Sequence, residues 1–164
     1  LALTFRDASP DDLATIEELL GRPPLGRCCV VVRRRDHRPV VIENEPHLLD
    51  GTPMPTLYWL IDKELRDEVS RLESEGGVHR FESLVESEDL QRTHDEYNRR
   101  RTAAIVRHDL VVPSGGVGGT RVGVKCLHAH LANFLVGGDD PVGALVAARV
   151  TLPELELELD SRRD

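Results

Sequence analysis

The chain has 164 residues, 40% of them hydrophobic and 30% charged, the balance of one globular domain rather than of a disordered segment. The formal net charge is -8, so nucleic-acid phosphates and anionic membranes are repelled unless the basic residues cluster. The densest cluster is Arg33-Arg34-Arg35 with Arg38, and no aromatic stacking platform surrounds it, so no nucleic-acid partner is expected. No run approaches the roughly 18 apolar residues that span a bilayer, and no membrane association is expected.

Aromatic content is only 4%, so the core is expected to consist mainly of Leu, Val and Ala. The three cysteines include the adjacent pair Cys28-Cys29, which is no disulfide framework. Reduced thiols suit a cytoplasmic protein. The stretch LALTFRDASPDD has neither a basic nor an apolar region of the kind a signal peptide needs.

Ser9-Pro10-Asp11-Asp12 opens a helix: a capping hydroxyl, a proline suited to the first turn, and acids at the positive end of the dipole. Leu13, Ile16, Leu19 and Leu20 form its apolar stripe, and Gly21 with Pro23-Pro24 ends it. The β-branched runs at 28–32 and 40–42 flank RRRDHRP and read as a hairpin. PHLLDGTPMPT, residues 46–56, is a loop, and TLYWLI supplies a third strand.

From Asp62 the period becomes helical. Leu65, Val69 and Leu72 share a face that Gly76-Gly77 closes. Phe81, Leu84 and Val85 mark a short second helix. Leu90, His94, Tyr97 and Ile105 mark a longer third, with Arg99, Arg100 and Arg101 on its wall. A glycine-rich connector, PSGGVGGTRVG, follows at 113–123, and a short helix begins after Asp139-Asp140-Pro141. The tail LPELELELD alternates at period two, as an edge strand or a disordered acidic tail would. The expected fold is α+β. A small antiparallel sheet of about three strands, residues 28–61, packs against about four to six helices. The domain spans residues 9–150, and 151–164 form the acidic tail or edge strand.

The densest polar chemistry lies in VGVKCLHAHLANFL, residues 122–135. As a helix, it puts Val124, Leu127, Leu131 and Phe134 on one stripe, with Cys126, His130 and Asn133 along its edge. Cys126 and His130 are then i and i+4 and can share a ligand. As a strand, it would align Cys126, His128 and His130 for zinc. The helical reading is preferred, because Ala129, Leu131, Ala132 and Leu135 are good helix formers.

Four readings stay open. The stretch is a packed helix with a buried thiol. It is a zinc site in which Cys126 and His130, with His128, recruit His37, His47, Cys28 or an acid. It carries a nucleophilic Cys126 with His130 as base. Or it is an anion site at Lys125 and the helix start, which Arg99, Arg100 and Arg101 would complete, with His128 and His130 beside them.

The connector is not a phosphate loop. Val124-Lys125-Cys126 follows Gly123 where Lys and then Ser or Thr are needed, so a flexible loop or lid is expected. His94 with Glu96 lacks the second histidine of a zinc-protease motif and reads as a core-edge residue. His79 and His108 read as surface residues.

LGRPPLG at 20–26, DGTPMPTLYWL at 50–60, HDEYNRRR at 94–101 and RVGVKCLHAHLANFLVGGDDPVG at 121–143 occur in this order. Together they resemble the actinobacterial domain-of-unknown-function family 501, over roughly residues 10–148. The family is uncharacterised, so the resemblance transfers no catalytic residue. It implies a cytosolic housekeeping role linked to cell division or phosphate metabolism. It also implies a Cys-x-Cys in the first hairpin and a further Cys after the third strand. Here those places read RRRDHRP and LIDKEL. Asp36, His37 and Asp62 are the substitutes available, and they would make a harder and weaker metal site. The reading reached is a cytosolic binding or regulatory module for an unidentified protein partner or a small anionic ligand, its oligomeric state open. The alternative is a hydrolase or transferase acting on a phosphorylated or carboxylated small molecule.

Overall fold

The computed structural model describes residues 5–158. Ser9 caps α1 (Pro10–Leu20), its hydroxyl accepting the Asp12 N–H at 3.1 Å, and Gly21 closes the helix at φ 73°. β1 (Gly26–Arg34) and β2 (Pro39–Leu48) form an antiparallel hairpin. His37 takes φ 72° in the turn, the one described non-glycine residue in the left-handed region. Asp36 stabilises the turn by accepting the Arg38 N–H at 3.2 Å.

β3 (Tyr58–Leu60) adds antiparallel to β2, and β4 (Leu155–Leu157) adds antiparallel to β1. The order is therefore β3-β2-β1-β4, one strand more than the sequence pattern predicts. The fold is α+β, with six α-helices among the described residues around this small antiparallel sheet. The fourth strand arises because the Leu-Glu alternation of the tail meets the open edge of β1, while Glu158 pairs with Arg33 and Arg6. The end of that motif, residues 159–160, lies outside the described residues.

Both sheet faces are covered, which is why β1 reads as a continuous apolar run rather than an alternation. Cys28, Val30 and Ile42 face Ile16 of α1. Cys29, Val31 and Val41 face the larger core, which is built from α2 (Lys63–Ser74), α3 (Gly77–Glu82), α4 (Ser87–Ala103), α5 (Leu127–Leu135) and α6 (Pro141–Ala147). Period two sorts Cys28 to Val31 between these cores, and the register shift between Val30 and Val32 leaves Val32 beside Val31 in the larger one.

α2 stops at Ser74, just before Gly76-Gly77 as expected; Gly76 turns at φ 80° and α3 opens at Gly77. No described helix is long and apolar enough to cross a membrane.

α4 holds the core to the glycine-rich connector. The Tyr97 hydroxyl accepts the N–H groups of Leu57 and Tyr58 at 2.6 and 3.3 Å. Arg101, one helical turn on, is fully buried and donates to the carbonyls of Pro55 at 2.5 Å and Gly115 at 2.6 Å. Gly116 lies against the ring of His94, whose Nδ1 accepts the Val117 N–H at 3.0 Å. Val117–Gly119 forms a short 3-10 turn, so this part of the connector is anchored rather than free.

Candidate functional site

The helix within VGVKCLHAHLANFL begins only at Leu127. Val124 and Lys125 precede it, and Cys126 is its N-cap with extended backbone, φ -152° and ψ 149°. Cys126 and His130 are therefore not one turn apart on a shared helix face. The first free N–H, that of Leu127, donates to Oε1 of Glu73 at 2.7 Å. The same oxygen lies 3.1 Å from Nδ1 of His128. On the other side of that ring, Nε2 lies 3.3 Å from the Ser70 hydroxyl and 3.3 Å from the Arg66 carbonyl. Arg66, Ser70 and Glu73 are i, i+4 and i+7 on α2, so one helical face carries all three.

These groups border an open cleft of about 500 Å³ between α2, β3 and the start of α5. Arg66, Ser70, Lys125, Cys126 and His128 line it, and Trp59 gives it an aromatic wall. Gly118 of the connector also faces the cleft, and the Lys125 stem runs past it, 3.6 Å from where a Cβ would stand. Among the described residues no carboxylate pairs with Lys125 or Arg66; Asp67, also at the cleft, is engaged by Lys63 at 2.7 Å. Burial pushes the Cys126 thiol up, and the Ala129 N–H beside it offsets this only in part. Cys126 is therefore a protonated thiol at neutral pH rather than an activated nucleophile.

Of the residues proposed for one anion pocket, Lys125 and His128 share this cleft and the others do not. Arg99 and Arg100 line a separate cleft of about 630 Å³ with Gly137, Gly138 and Asp139. Arg99 is held by Glu96 at 2.6 Å. Arg100 donates to Asn133 Oδ1 at 3.2 Å and stacks on Tyr58. Arg101 is not on a solvated wall: it falls on the stripe of His94 and Tyr97 and points inward.

His130 is sealed in the core. Its Nδ1 lies 2.9 Å from both oxygens of Asp140, which also accepts from Asn133 Nδ2 at 2.9 Å and caps α6 through the Gly143 N–H at 2.8 Å. The ring of His94 stands edge-on to it at 6.0 Å, and burial holds the His94 imidazole below its ordinary range. Neither histidine reaches the cleft.

The metal candidates do not converge. His37 is exposed in the hairpin turn, and Asp36 is bound to Arg38. Asp62 caps α2 and takes both arms of Arg34, at 2.6 and 2.9 Å. His47 is buried against the Val111 carbonyl. Burial raises the Cys28 thiol to about 11. Among the described residues no group of three or more His, Cys, Asp or Glu is placed to hold a metal ion.

Sequence reasoning missed Arg66, Ser70 and Glu73, which look like any solvated helix face, and it missed Asp140 as the partner of His130. No curated protein and no solved structure matches the chain. A family model described as "Protein of unknown function (DUF501)" matches residues 30–148, well over half of the chain, and the chain belongs to that family.

Proposed function

We propose that this protein is a cytoplasmic binding module that takes a small anionic ligand, phosphorylated or carboxylated, in the cleft between α2, β3 and α5. The carrying observation is that Arg66 and Lys125 enter this cleft without a carboxylate partner among the described residues, in a chain of net charge -8. The start of α5 borders the cleft, but its first N–H is already taken by Glu73, so the anion falls to Lys125 and Arg66. Trp59 gives an apolar surface for the body of the ligand. A phosphate-bearing ligand accords with the link to phosphate metabolism that the family resemblance implies.

The densest basic cluster supports small molecules over nucleic acid. Arg33 is taken by Asp12 and Glu158, Arg34 by Asp62 and Glu64, Arg35 by Glu154 and Arg38 by Asp36. Little of that charge is left to meet a phosphate backbone.

The test is thermal unfolding with inorganic phosphate, citrate and a set of phosphomonoesters. A ligand at a hundredfold its Kd stabilises by about 2.7 kcal/mol, roughly 5–10 °C for a domain of this size. The shift disappears in Arg66→Ala/Lys125→Ala. Equal shifts in the double variant and the wild type would refute the assignment.

A further inference from the structure

His128 stands between two side chains of one helix. Glu73 sits at Nδ1 at 3.1 Å and Ser70 at Nε2 at 3.3 Å. A carboxylate only accepts, so Glu73 fixes a proton on Nδ1 and turns the Nε2 lone pair toward the Ser70 hydroxyl. A distance of 3.3 Å is the loose end of what an unligated nucleophile–base pair shows. The three groups thus form hydroxyl, imidazole and carboxylate in series, with the hydroxyl exposed and lining the cleft. The Arg66 carbonyl, also 3.3 Å from Nε2, has no donor to meet in this tautomer. It acquires one once Nε2 takes the Ser70 proton, so both ring nitrogens then have an acceptor within reach.

We propose that Ser70 is a nucleophile that hydrolyses a small carboxylic ester, with His128 as its base and Glu73 as a positioning residue. Oγ of Ser70 bonds to the ester carbonyl carbon as its proton passes to Nε2 of His128. The tetrahedral adduct collapses with cleavage of the bond to the alkoxy oxygen, which takes the Nε2 proton and leaves as the alcohol. Water then adds to the acyl carbon, giving its proton to Nε2. The Ser70 ester breaks, Oγ recovers that proton, and the carboxylic acid departs. No oxidant, reductant or metal enters the balance. The substrate is an ester that also bears a negative charge, a specificity resting on the anion site assigned to Arg66 and Lys125.

Two measurements test this. The first is covalent labelling by a fluorophosphonate probe, mapped by mass spectrometry, with label on Ser70 as the expected result. The second is hydrolysis of 4-nitrophenyl acetate and of the mono-4-nitrophenyl ester of adipic acid. Ser70→Ala and His128→Gln lower kcat/KM for both esters by roughly a thousandfold at unchanged melting temperature. Glu73→Gln lowers kcat at constant KM, the mark of a misplaced base rather than a lost contact. Lys125→Ala raises KM for the adipate ester alone. Failure of Ser70 to label, or Ser70→Ala within twofold of wild type, overturns the nucleophile. If Ser70→Ala is inactive but Lys125→Ala leaves the ester preference unchanged, the anionic specificity is overturned and the serine stands.

Discussion

His128 and His130 are two residues apart on α5, and each holds a carboxylate at Nδ1, yet they do opposite things. The side chains of His130 and Asp140 are fully buried, and the far nitrogen of His130 meets no hydrogen-bond partner among the described residues. Those of His128 and Glu73 are each 26% exposed, and the far nitrogen faces a hydroxyl in an open cleft. A buried polar pair costs desolvation and returns rigidity, whereas a half-open one leaves its far nitrogen within reach of a ligand. Helix geometry alone separates them: a two-residue step turns one ring toward α6 and the other toward α2.

The largest expected effect is on the sealed side. Asp140→Ala removes the α6 cap and strands the His130 and Asn133 side chains, costing about 3–5 kcal/mol in urea unfolding. Glu73→Ala costs about 1 kcal/mol, since water replaces part of what it gives. Equal costs would erase the distinction between the two sites.

Next comes Gly116→Ala. Its methyl lands on the His94 ring, which is boxed in by the Val117 N–H and the Gly123 carbonyl, so a loss of about 1–3 kcal/mol is expected by the same measurement.

A smaller effect appears with pH. Burial lowers the His94 pKa from its ordinary 6.5, so the unfolded chain binds the proton more readily than the folded one. This contribution to stability is complete above pH 6.5 and declines as the pH falls below it toward the folded-state value. His94→Gln flattens that limb of the stability curve, read as urea midpoints from pH 7.5 to 5. The smallest change is Ser70→Ala, which shifts stability by no more than about 0.5 kcal/mol because the side chain is exposed.

Local chemistry was legible. Ser9, Pro10 and Gly21 announce both ends of α1, and the β-branched runs announce the hairpin, because caps and periodicity act within a few residues. The inward turn of Arg101 was also readable: with His94 and Tyr97 it falls at i, i+3 and i+7. Basic residue type suggested a solvated wall, and helical position decides otherwise. The pairing of β4 with β1 and the meeting of Ser70 with His128, 58 residues apart, were not readable. Both depend on how helices and strands dock, which no local propensity encodes.

The most direct measurement is a chemical-shift map of the amide-labelled protein titrated with inorganic phosphate. Saturable shifts at Gly118, Lys125 and the first turn of α5 are expected, with Arg99, Gly137 and Gly138 unmoved. Shifts confined to the Arg99–Gly138 side would contradict the assignment, because phosphate would then be held in the cleft lined by Arg99 and Arg100 instead.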